Sequence, residues 1–518
     1  MRKEYLIGVD LGTSATKAAL YRSDGTLAAE ASVEVPLYYP KPGIVEQENG
    51  DFYSSAAETV RRCMNASGVD PQAVAAIAFD SQMAGVGSID EQFAPATRFD
   101  SWLDMRCQPY IEELEQKHGA LITRLTGCPP TCDHGPKILW WKEEQPRSYA
   151  RIAKFLMPAG YVAGRMAGLR AEDAFIDYTF IHFSALCDAL AGSWSPELCG
   201  LLGVDPGRLP RIVAPWDIVG EVTATVAREF GLAPGTPIAA GAGDTAAGAL
   251  GAGIVRPGML FDTAGTASVL AACSDRFAAD EEHRALLVMR SVIPGLWNPL
   301  AYIGGGGIAL RWFRDTFFNV FRGQEQEKTA DLYEALMERA GALAPGADGL
   351  FFSPHLGGRI CPADPTMRGA WVGFSWGHTQ AHFFRAILES VAFEYAYYLS
   401  ILRKLTPELA LTETRAIGGG AQSRVWNQIK ADVLGVPYQR LKRAEFATWG
   451  SALIAGRAAG LFTDLAETAS RMAVRSGEPV MPHGETQDTY NRLREQYVGW
   501  QGTLSEAFRA SARGQLYH

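Results

Sequence analysis

The chain has 518 residues, of which 47% are hydrophobic and 20% charged, and its formal net charge is −9. This length is too great for one hydrophobic core and predicts about two to four domains of ordinary globular composition. The acidic balance argues against non-specific binding to nucleic acid or to an anionic membrane surface, so a small-molecule substrate is expected instead. The N-terminus enters a strand directly and no apolar window is long enough to span a membrane, which predicts a cytoplasmic protein.

The opening of the chain predicts a phosphate-binding hairpin. Residues 6–20 place two short apolar runs around a turn of small, hydroxylated residues. A glycine there lets the backbone approach a phosphate closely, and the N–H groups and hydroxyls beside it can donate to phosphate oxygens. Asp10, at the end of the first strand, can hold a Mg²⁺ ion directly or through water. The residues expected to bind nucleotide here are Asp10, Gly12, Thr13, Ser14 and Lys17; a plain hairpin is the alternative.

The next segments alternate between strand and helix patterns, which is typical of the α/β class. Buried-type strands are predicted over residues 73–79 and 237–241, with another strand over 98–104. Helical patterns cover residues 110–117 and 137–142.

The strand predicted over residues 98–104 leads into a segment suited to binding a polyol. Trp102, Asp104 and Arg106 lie two residues apart, and alternate residues of an extended strand point the same way. An indole can pack on apolar C–H faces while charged groups bond to hydroxyls. An exposed strand edge with a salt bridge is the alternative.

Eight cysteines are spread along the chain, and only Cys128 and Cys132 lie close together. Asp133 and His134 follow, so a zinc cluster is conceivable, but no second cysteine pair completes one. Free thiols in a reducing compartment are the favoured interpretation.

Asp244 is the best candidate for a catalytic group. It follows the strand predicted over 237–241 and starts a helix, where the helix dipole stabilises a carboxylate. A carboxylate in that place can accept the proton of a hydroxyl that attacks a γ-phosphate. A plain helix N-cap is the alternative.

The second half of the chain repeats the first. Residues 259–270 form another strand, Gly-Thr turn and strand, and two helices rich in small residues are predicted over 244–253 and 448–460. The repetition predicts two related α/β domains with a cleft between them, chance similarity of Ala/Gly-rich helices being the alternative. We expect an N-terminal domain over 1–253, a C-terminal domain over 254–480 and a helical tail over 481–518.

Two glycine turns in this half could accommodate a phosphate or a flat ring. Residues 304–307 lead into a helix over 308–317, and residues 418–421 follow a strand over 415–417 and open a helix over 422–434. The tail is different, because its apolar residues recur every three or four positions: Tyr490, Leu493, Tyr497, Trp500, Leu504 and Phe508. This face is expected to pack on the protein itself; an oligomer contact, such as that of a homodimer, is the alternative.

With these motifs in this order, the chain resembles the FGGY family of carbohydrate kinases, which have the actin-like, ribonuclease H-like ATPase fold. The resemblance runs over residues 6–460. Asp-Leu-Gly-Thr-Ser at 10–14 looks like the first phosphate motif, Gly265-Thr266 like the second, and residues 418–421 like the adenosine motif. Residues 241–248 match the catalytic segment, and the two family signatures are similar to residues 136–140 and to 369–373 with 382–389.

The resemblance implies an α/β fold of two actin-like domains with an interdomain cleft, with ATP and Mg²⁺ as cofactors. It implies Asp244 as the general base and Asp10 and Asp244 as metal-binding residues. In the second half it implies nucleotide contacts at Gly265, Thr266, Gly307, Gly419, Gly420, Ala421, Ser423 and Asn427. It implies sugar contacts at Gln82, Met83, Ala84, Trp102, Asp104, Arg106 and Asp244.

Within the family the chain most resembles xylulokinases, with two departures from their pattern and two unusual residues in the family signatures. Ala84 stands where they carry a histidine, residues 357–360 read Gly-Gly-Arg-Ile where they have Gly-Glu-Arg, and His134 and Phe374 are unusual in the two signatures. Loss of an imidazole removes a hydrogen-bond partner, and a changed set of polar partners changes which substrate is accepted. The expected acceptor is a ketose, most of all a pentulose such as xylulose, the alternatives being ribulose, a tetritol or a hexulose.

Two other classes of protein share this fold. One is an actin- or chaperone-type ATPase, against which the polyol-type segment at residues 102–106 argues. The other is a non-catalytic sugar sensor, which would be expected to lack Asp244 and to carry a DNA-binding domain.

Overall fold

The computed structural model describes residues 3–265, 267–318 and 326–514. Elements of the first half are β1 (Tyr5–Leu11), β2 (Ala15–Arg22), β3 (Leu27–Glu34), β4 (Glu46–Gln47), α1 (Asn49–Ser67), β5 (Val74–Ser81), β6 (Val86–Ile89), β7 (Pro95–Asp100), α2 (Gln108–Thr126), α3 (His134–Glu144), α4 (Pro146–Tyr149), β8 (Lys154–Leu156), α5 (Pro158–Ala167), β9 (Phe175–Asp177), β10 (Cys187–Asp188), β11 (Ser193–Trp194), α6 (Pro196–Leu202), β12 (Arg211–Val213), β13 (Ile218–Glu221), α7 (Ala224–Phe230), β14 (Pro237–Gly243) and α8 (Asp244–Gly251).

Elements of the second half are β15 (Met259–Ala264), β16 (Ser268–Ala272), β17 (Leu287–Arg290), β18 (Trp297–Ile303), α9 (Gly306–Phe317), α10 (Gln326–Gly341), β19 (Phe351–Ser353), β20 (Ala370–Val372), α11 (Gln380–Leu405), β21 (Glu413–Ile417), α12 (Arg424–Leu434), β22 (Tyr438–Leu441), α13 (Ala447–Ala458), α14 (Leu465–Met472), β23 (Arg475–Val480) and α15 (Gln487–Gly514). A short 3-10 helix, Gly419–Gln422, separates β21 from α12.

Two large sheets show that the predicted duplication is real. The first sheet has the order β3-β2-β1-β5-β14-β13, and the second has β17-β18-β16-β15-β21-β22-β23. In each, an antiparallel hairpin pairs in parallel with a later strand, which pairs in parallel with a third, and an antiparallel strand closes the edge. The second sheet carries one additional edge strand, β17. The hairpins β1–β2 and β15–β16 therefore occupy the same place in two related sheets.

Burial explains why the central strands are apolar throughout. Every residue of β5 is buried, as expected for a parallel strand covered on both faces. Strand β3, at the sheet edge, instead alternates between exposed and half-buried residues. The first sheet is covered on one side by α1 and α5, while α13 from the second half contacts β1, β5 and β14.

Helices α8 and α13 cross at backbone distance. A Cβ built on Gly450 would lie 1.9 Å from the carbonyl oxygen of Ala247, and one on Gly251 would lie 2.1 Å from that of Phe446. A Cβ on Gly8, in β1, would lie 1.8 Å from the carbonyl oxygen of Thr448. The small residues seen in the sequence thus let α13 lie against both α8 and the first sheet.

The structure corrects several boundaries. The strand predicted over 98–104 ends at Asp100, so Trp102 and Asp104 lie in the loop after it, and the argument from strand alternation was wrong. The helix expected from 422 begins at Arg424, after the 3-10 turn. The two small-residue helices end at Gly251 and Ala458.

The tail helix packs part of its predicted apolar face on the protein itself. Helix α15 buries Tyr490 and Tyr497 against the protein, whereas Trp500 and Val498 stay exposed. All eight cysteines are free, and within the described residues no group of three His, Cys, Asp or Glu side chains could hold a metal. None of the helices that the structure describes combines the length and the apolar character needed to cross a bilayer. The proposed domain boundaries remain predictions.

Gly450→Ala should lower stability by about 2–4 kcal/mol, because its methyl group forces two backbones apart. Gly248→Ala is the matched control, since a Cβ there would lie 3.4 Å from the Phe261 ring, an ordinary contact. Alanine at this helical position should be neutral or stabilising by up to about 1 kcal/mol. Thermal denaturation of both variants measures the difference, and equal melting temperatures would contradict the close crossing.

Candidate active site

Three carboxylates meet at one edge of the first sheet. Asp10, one residue before the end of β1, pairs in register with Asp80 of β5. Asp80 pairs with Ala242 of β14, which leads to Asp244. The carboxyl ends of parallel strands share one edge of a sheet, where ligands bind in open α/β folds. Sequence reasoning identified Asp10 and Asp244 but missed Asp80. The available signal was a carboxylate at the end of a second buried strand.

The pKa values of these carboxyls are all raised. Burial, and then the charge of Asp244, raise the pKa of Asp10 to about 7, although Lys17 opposes this. Burial and the charge of Asp10 raise the pKa of Asp80 well above its usual range. Burial raises the pKa of Asp244 to about 6, against bonds from the Thr245 N–H at 2.5 Å and hydroxyl at 3.1 Å. The cluster therefore favours a bound cation or proton.

The donor set fits a magnesium ion. Asp10 and Asp244 offer hard oxygen ligands, and one oxygen of Asp80 is buried with no hydrogen-bond partner among the described residues. Mg²⁺ usually takes one or two carboxylates and completes its shell with water and substrate phosphate, so three converging protein ligands are not needed.

The first hairpin turn joins the predicted phosphate and acceptor residues. The Trp102 indole N–H donates to the Thr13 hydroxyl at 2.9 Å, and that hydroxyl lies 3.5 Å from Oε1 of Gln82. Gln82 in turn donates to Gln47 at 2.7 Å. Gly12 closes the turn, its N–H donating to the Ala15 carbonyl at 3.1 Å. The structure therefore brings the expected nucleotide turn and the expected sugar residues into contact.

Two other predicted residues are engaged within the protein. Lys17 forms a 3.0 Å salt bridge with Glu445, which belongs to the second half of the chain. Ser14 lies in the same turn, and its carbonyl accepts from the Val35 N–H at 3.0 Å.

Asp104 and Arg106 form a buried ion pair with each other. The guanidinium donates to Asp104 at 2.9 and 2.8 Å and to Glu46 at 2.7 Å, and it lies 4.8 Å from the Trp140 ring. Asp104 also accepts the N–H of Val45 at 2.7 Å. This pair is a salt bridge, as in the alternative interpretation, but it is buried rather than at an exposed edge. Its contacts fix the turn that presents Trp102, and a direct sugar contact remains a prediction.

Met83 and Ala84 lie beside the candidate base. A Cβ on Gly243, the residue before Asp244, would lie 2.5 Å from the Met83 methyl group. Ala84 is buried and has a φ of 61°, a backbone region that costs a non-glycine residue about 1–2 kcal/mol. The position that departs from the xylulokinase pattern is therefore strained and follows directly on Met83, the residue that packs against Gly243.

In the second half, the hairpin turn meets the first glycine turn. The Gly307 N–H donates to the Gly265 carbonyl at 3.1 Å, and a Cβ on Gly306 would lie 2.0 Å from the Ser268 hydroxyl. Thr266, predicted to bind phosphate, lies outside the described residues.

The adenosine turn is open on one side. Gly418 has a φ of 80°, and a Cβ on Gly419 would meet nothing within 4 Å, which leaves room for a ring. Ser423 caps α12 at the Trp426 N–H, and the buried Asn427 donates to the Ala421 carbonyl at 2.8 Å. These two side chains support the turn that Gly420 and Ala421 form.

Two residues near Trp102 escaped the sequence reasoning as site residues. The Tyr302 ring packs edge-on at 6.1 Å from Trp102, and the Cys132 thiol donates to the Trp102 carbonyl at 3.2 Å. Tyr302 comes from β18 of the second sheet, and no local pattern marks it. Cys132 drew notice only as a possible metal ligand.

Curated proteins with similar sequences include sugar kinases of different substrates. The xylulose kinase of Bacillus subtilis is 28% identical over 95% of this chain and 96% of its own length. The gluconokinase of the same organism is 27% identical over 83% of this chain and 82% of its own. A solved structure, the xylulose kinase from Rhodospirillum rubrum, superposes with a TM-score of 0.87 at 27% identity and covers 98% of this chain and 100% of that one.

Asp80→Asn tests the carboxylate cluster through the pH dependence of stability. A carboxyl whose folded pKa exceeds its unfolded value stabilises the fold when protonated, and this stability is lost as pH rises through the folded pKa. The variant should therefore have a higher melting temperature than the wild type at pH 8 in EDTA, with the difference shrinking toward pH 4. The exposed Asp173→Asn is the control. Destabilisation of equal size at both pH values would contradict the cluster.

Family models match most of the chain. The N-terminal domain of the FGGY family of carbohydrate kinases matches residues 5–251, and the C-terminal domain of that family matches residues 262–459. These two segments contain the first sheet, most of the second sheet, the carboxylate edge and both glycine turns. The chain therefore belongs to the FGGY family of carbohydrate kinases and is an ATP-dependent sugar kinase.

Proposed function

We propose that the enzyme transfers the γ-phosphate of ATP to a terminal hydroxyl of a ketose, most of all a pentulose such as xylulose. The observation that carries this proposal is the position of Asp244, half-buried at the start of α8, beside Asp10 and next to Met83. The similar xylulose kinases support the substrate class. The free thiols along the chain favour a cytoplasmic location.

Asp244 has the properties of a general base for this reaction. A pKa of about 6 leaves the carboxylate ionised at neutral pH yet basic enough to accept a proton. The acceptor O–H gives its proton to Asp244 as its oxygen bonds to the γ-phosphorus, and the bond to the bridging oxygen of ADP breaks in line. Asp10 and Asp244 would hold Mg²⁺, which when bound neutralises phosphate charge.

The hairpins and glycine turns would bind the nucleotide. Thr13 and Ser14 would donate to phosphate oxygens from the first hairpin. Gly265 and Gly307, whose N–H groups already bond to the carbonyls of Ala267 and Gly265, would shape the second turn so that a phosphate can approach it. The open face at Gly419 suits the adenine ring.

The alanine at position 84 favours acceptors other than xylulose for the same phosphoryl transfer. A site without the expected imidazole suits a substrate with a different set of hydroxyls, such as ribulose, a tetritol or a hexulose. The similarity to a gluconokinase is consistent with this possibility. A non-sugar ATPase of the same fold is the remaining alternative.

Asp244→Asn should lower kcat about 10²- to 10⁴-fold, because the amide cannot accept the alcohol proton. A coupled ADP-release assay measures turnover, and calorimetry with ATP and Mg²⁺ checks that nucleotide still binds. Near-normal turnover in this variant would exclude Asp244 as the base.

An acceptor screen tests the substrate class. D-xylulose, D-ribulose, erythritol, D-fructose and D-gluconate should be compared for stimulation of ADP release. A pentulose should give the highest kcat/KM, and constant ATP turnover without stimulation by any acceptor would favour the non-sugar ATPase.

Ala84→His tests the missing imidazole. Histidine is among the non-glycine residues that tolerate positive φ, so the variant can adopt the backbone of this position. It should raise kcat/KM for D-xylulose about tenfold relative to the other acceptors, because one hydrogen bond is restored. Ala84→Leu, which adds bulk without a polar group, is the control; equal behaviour of the two variants would show that the imidazole is not the missing partner.

A further inference from the structure

A buried carboxylate in the second half gathers polar groups from three segments of the chain. Glu394, in α11, is fully buried. Its Oε1 accepts from the Tyr497 hydroxyl at 2.9 Å and lies 3.3 Å from Nε2 of His355. Its Oε2 accepts from Arg359 at 2.9 Å and lies 3.0 Å from the Tyr398 hydroxyl. We call these five residues the Glu394 cluster.

The carboxylate of this cluster is charged. Burial alone would raise the pKa of Glu394, but the Arg359 guanidinium and His355 beside it hold that pKa at about 2. A hydrogen bond to a charged acceptor is stronger than one between neutral groups. The bond from Tyr497 therefore ties α15 firmly to α11.

Helix α15 also contacts the loop that contains Arg359. Ser505 and Arg509, both in α15, bond to the Asp364 carboxylate at 2.5 and 2.8 Å. Arg359 and Asp364 donate their N–H groups to each other's carbonyl, each at 2.9 Å. Residues 359–364 therefore form a closed loop, which we call the 359–364 loop. At one end Arg359 bonds to Glu394, which accepts from Tyr497 of α15, and at the other end Asp364 bonds to Ser505 and Arg509 of α15.

The 359–364 loop lies near Tyr302, which packs on the proposed acceptor residue Trp102. The Ile360 side chain would lie 3.4 Å from a Cβ on Gly304, two residues after Tyr302. The Tyr302 ring packs on Trp102, which donates to Thr13 in the phosphate turn. The loop also includes part of the segment in which the sequence departs from the xylulokinase pattern.

Empty space lies between the loop and the tail helix. A cavity of about 290 Å³ is lined by Arg359, Glu394, Tyr497, Gln501 and Ser505, among others. A loop backed by a cavity is not fixed by packing on that side. Its position therefore depends on the polar contacts of the Glu394 cluster and of Asp364.

We propose that Glu394 and Tyr497 are positioning residues for the acceptor: through them the tail helix holds the 359–364 loop against the Tyr302–Trp102 pair. Coupling through a chain of packed and hydrogen-bonded groups needs no contact between α15 and the substrate. The proposal rests on the proposed function, in that the acceptor is taken to bind beside Trp102.

Tyr497→Phe tests this with a matched control on the same helix. Tyr490 is equally buried, and its hydroxyl likewise donates to a buried carboxylate, Glu389 at 3.1 Å. Glu389 bonds to Arg385 and to the Gly346 N–H, away from the 359–364 loop. Tyr490→Phe therefore removes a donated bond of the same kind, and with it the bond that the hydroxyl accepts from Arg385 at 3.0 Å, without touching the Glu394 cluster.

We expect Tyr497→Phe to raise the KM of the best acceptor from the screen about five- to tenfold, with kcat within about twofold and the KM of ATP unchanged. Tyr490→Phe should leave all three constants near the wild-type values. Equal effects of the two variants on acceptor KM would overturn the proposal, because a merely structural bond predicts no difference between them.

Hydrogen–deuterium exchange gives a second readout that needs no acceptor. Amides of residues 355–364 and 300–305 should exchange faster in Tyr497→Phe than in Tyr490→Phe. If no acceptor stimulates the wild type, the proposed function fails, and the exchange data alone still decide whether the cluster holds the loop. Identical exchange in both variants would overturn the proposal.

Discussion

The close crossing of α8 and α13 determines where the chemistry can occur. Because Gly450 meets the Ala247 carbonyl and Gly8 meets the Thr448 carbonyl, a helix from the second half lies on the first sheet with no side chains between the backbones. Helix α8 begins at Asp244, so the same crossing fixes the candidate base relative to Asp10 at the end of β1. A single added methyl group at this crossing would shift the catalytic edge as well as the core.

At the carboxylate edge, the fold holds acidic side chains where their negative charge is unfavourable until a ligand binds. Three acids meet where burial disfavours their charge, and a donated bond from Ser451 to Asp80 at 2.6 Å relieves only part of it. Ser451 belongs to α13, so the bond also connects the two halves at this edge. Without a cation, the carboxyls at this edge favour their protonated forms. A bound metal–nucleotide complex would replace those protons.

Patterns local in the sequence predicted much of the fold and part of the site. Both hairpins, the two small-residue helices and Asp244 follow from apolar runs and turn residues that are adjacent in the chain. Asp80 escaped because its proximity to Asp10 is a matter of strand register, which one sequence does not display. The predicted strand before Trp102 was too long because Asp104 accepts the Val45 N–H and turns the chain. These two residues are 59 positions apart, so no local pattern shows the contact. Tyr302 lies opposite Trp102 only because two domains meet.

The Thr13 hydroxyl connects Trp102, proposed to bind the acceptor, with the hairpin turn proposed to bind phosphate. It accepts the indole N–H of Trp102 at 2.9 Å, while its own proton faces only a distant Gln82 oxygen at 3.5 Å. A hydroxyl that accepts one hydrogen bond donates a second one more strongly. If the acceptor binds beside Trp102 and the phosphate at this turn, as proposed, a change in the orientation of the indole would change the strength of the hydrogen bond from Thr13 to a phosphoryl oxygen, and the two substrates would be coupled through one shared atom.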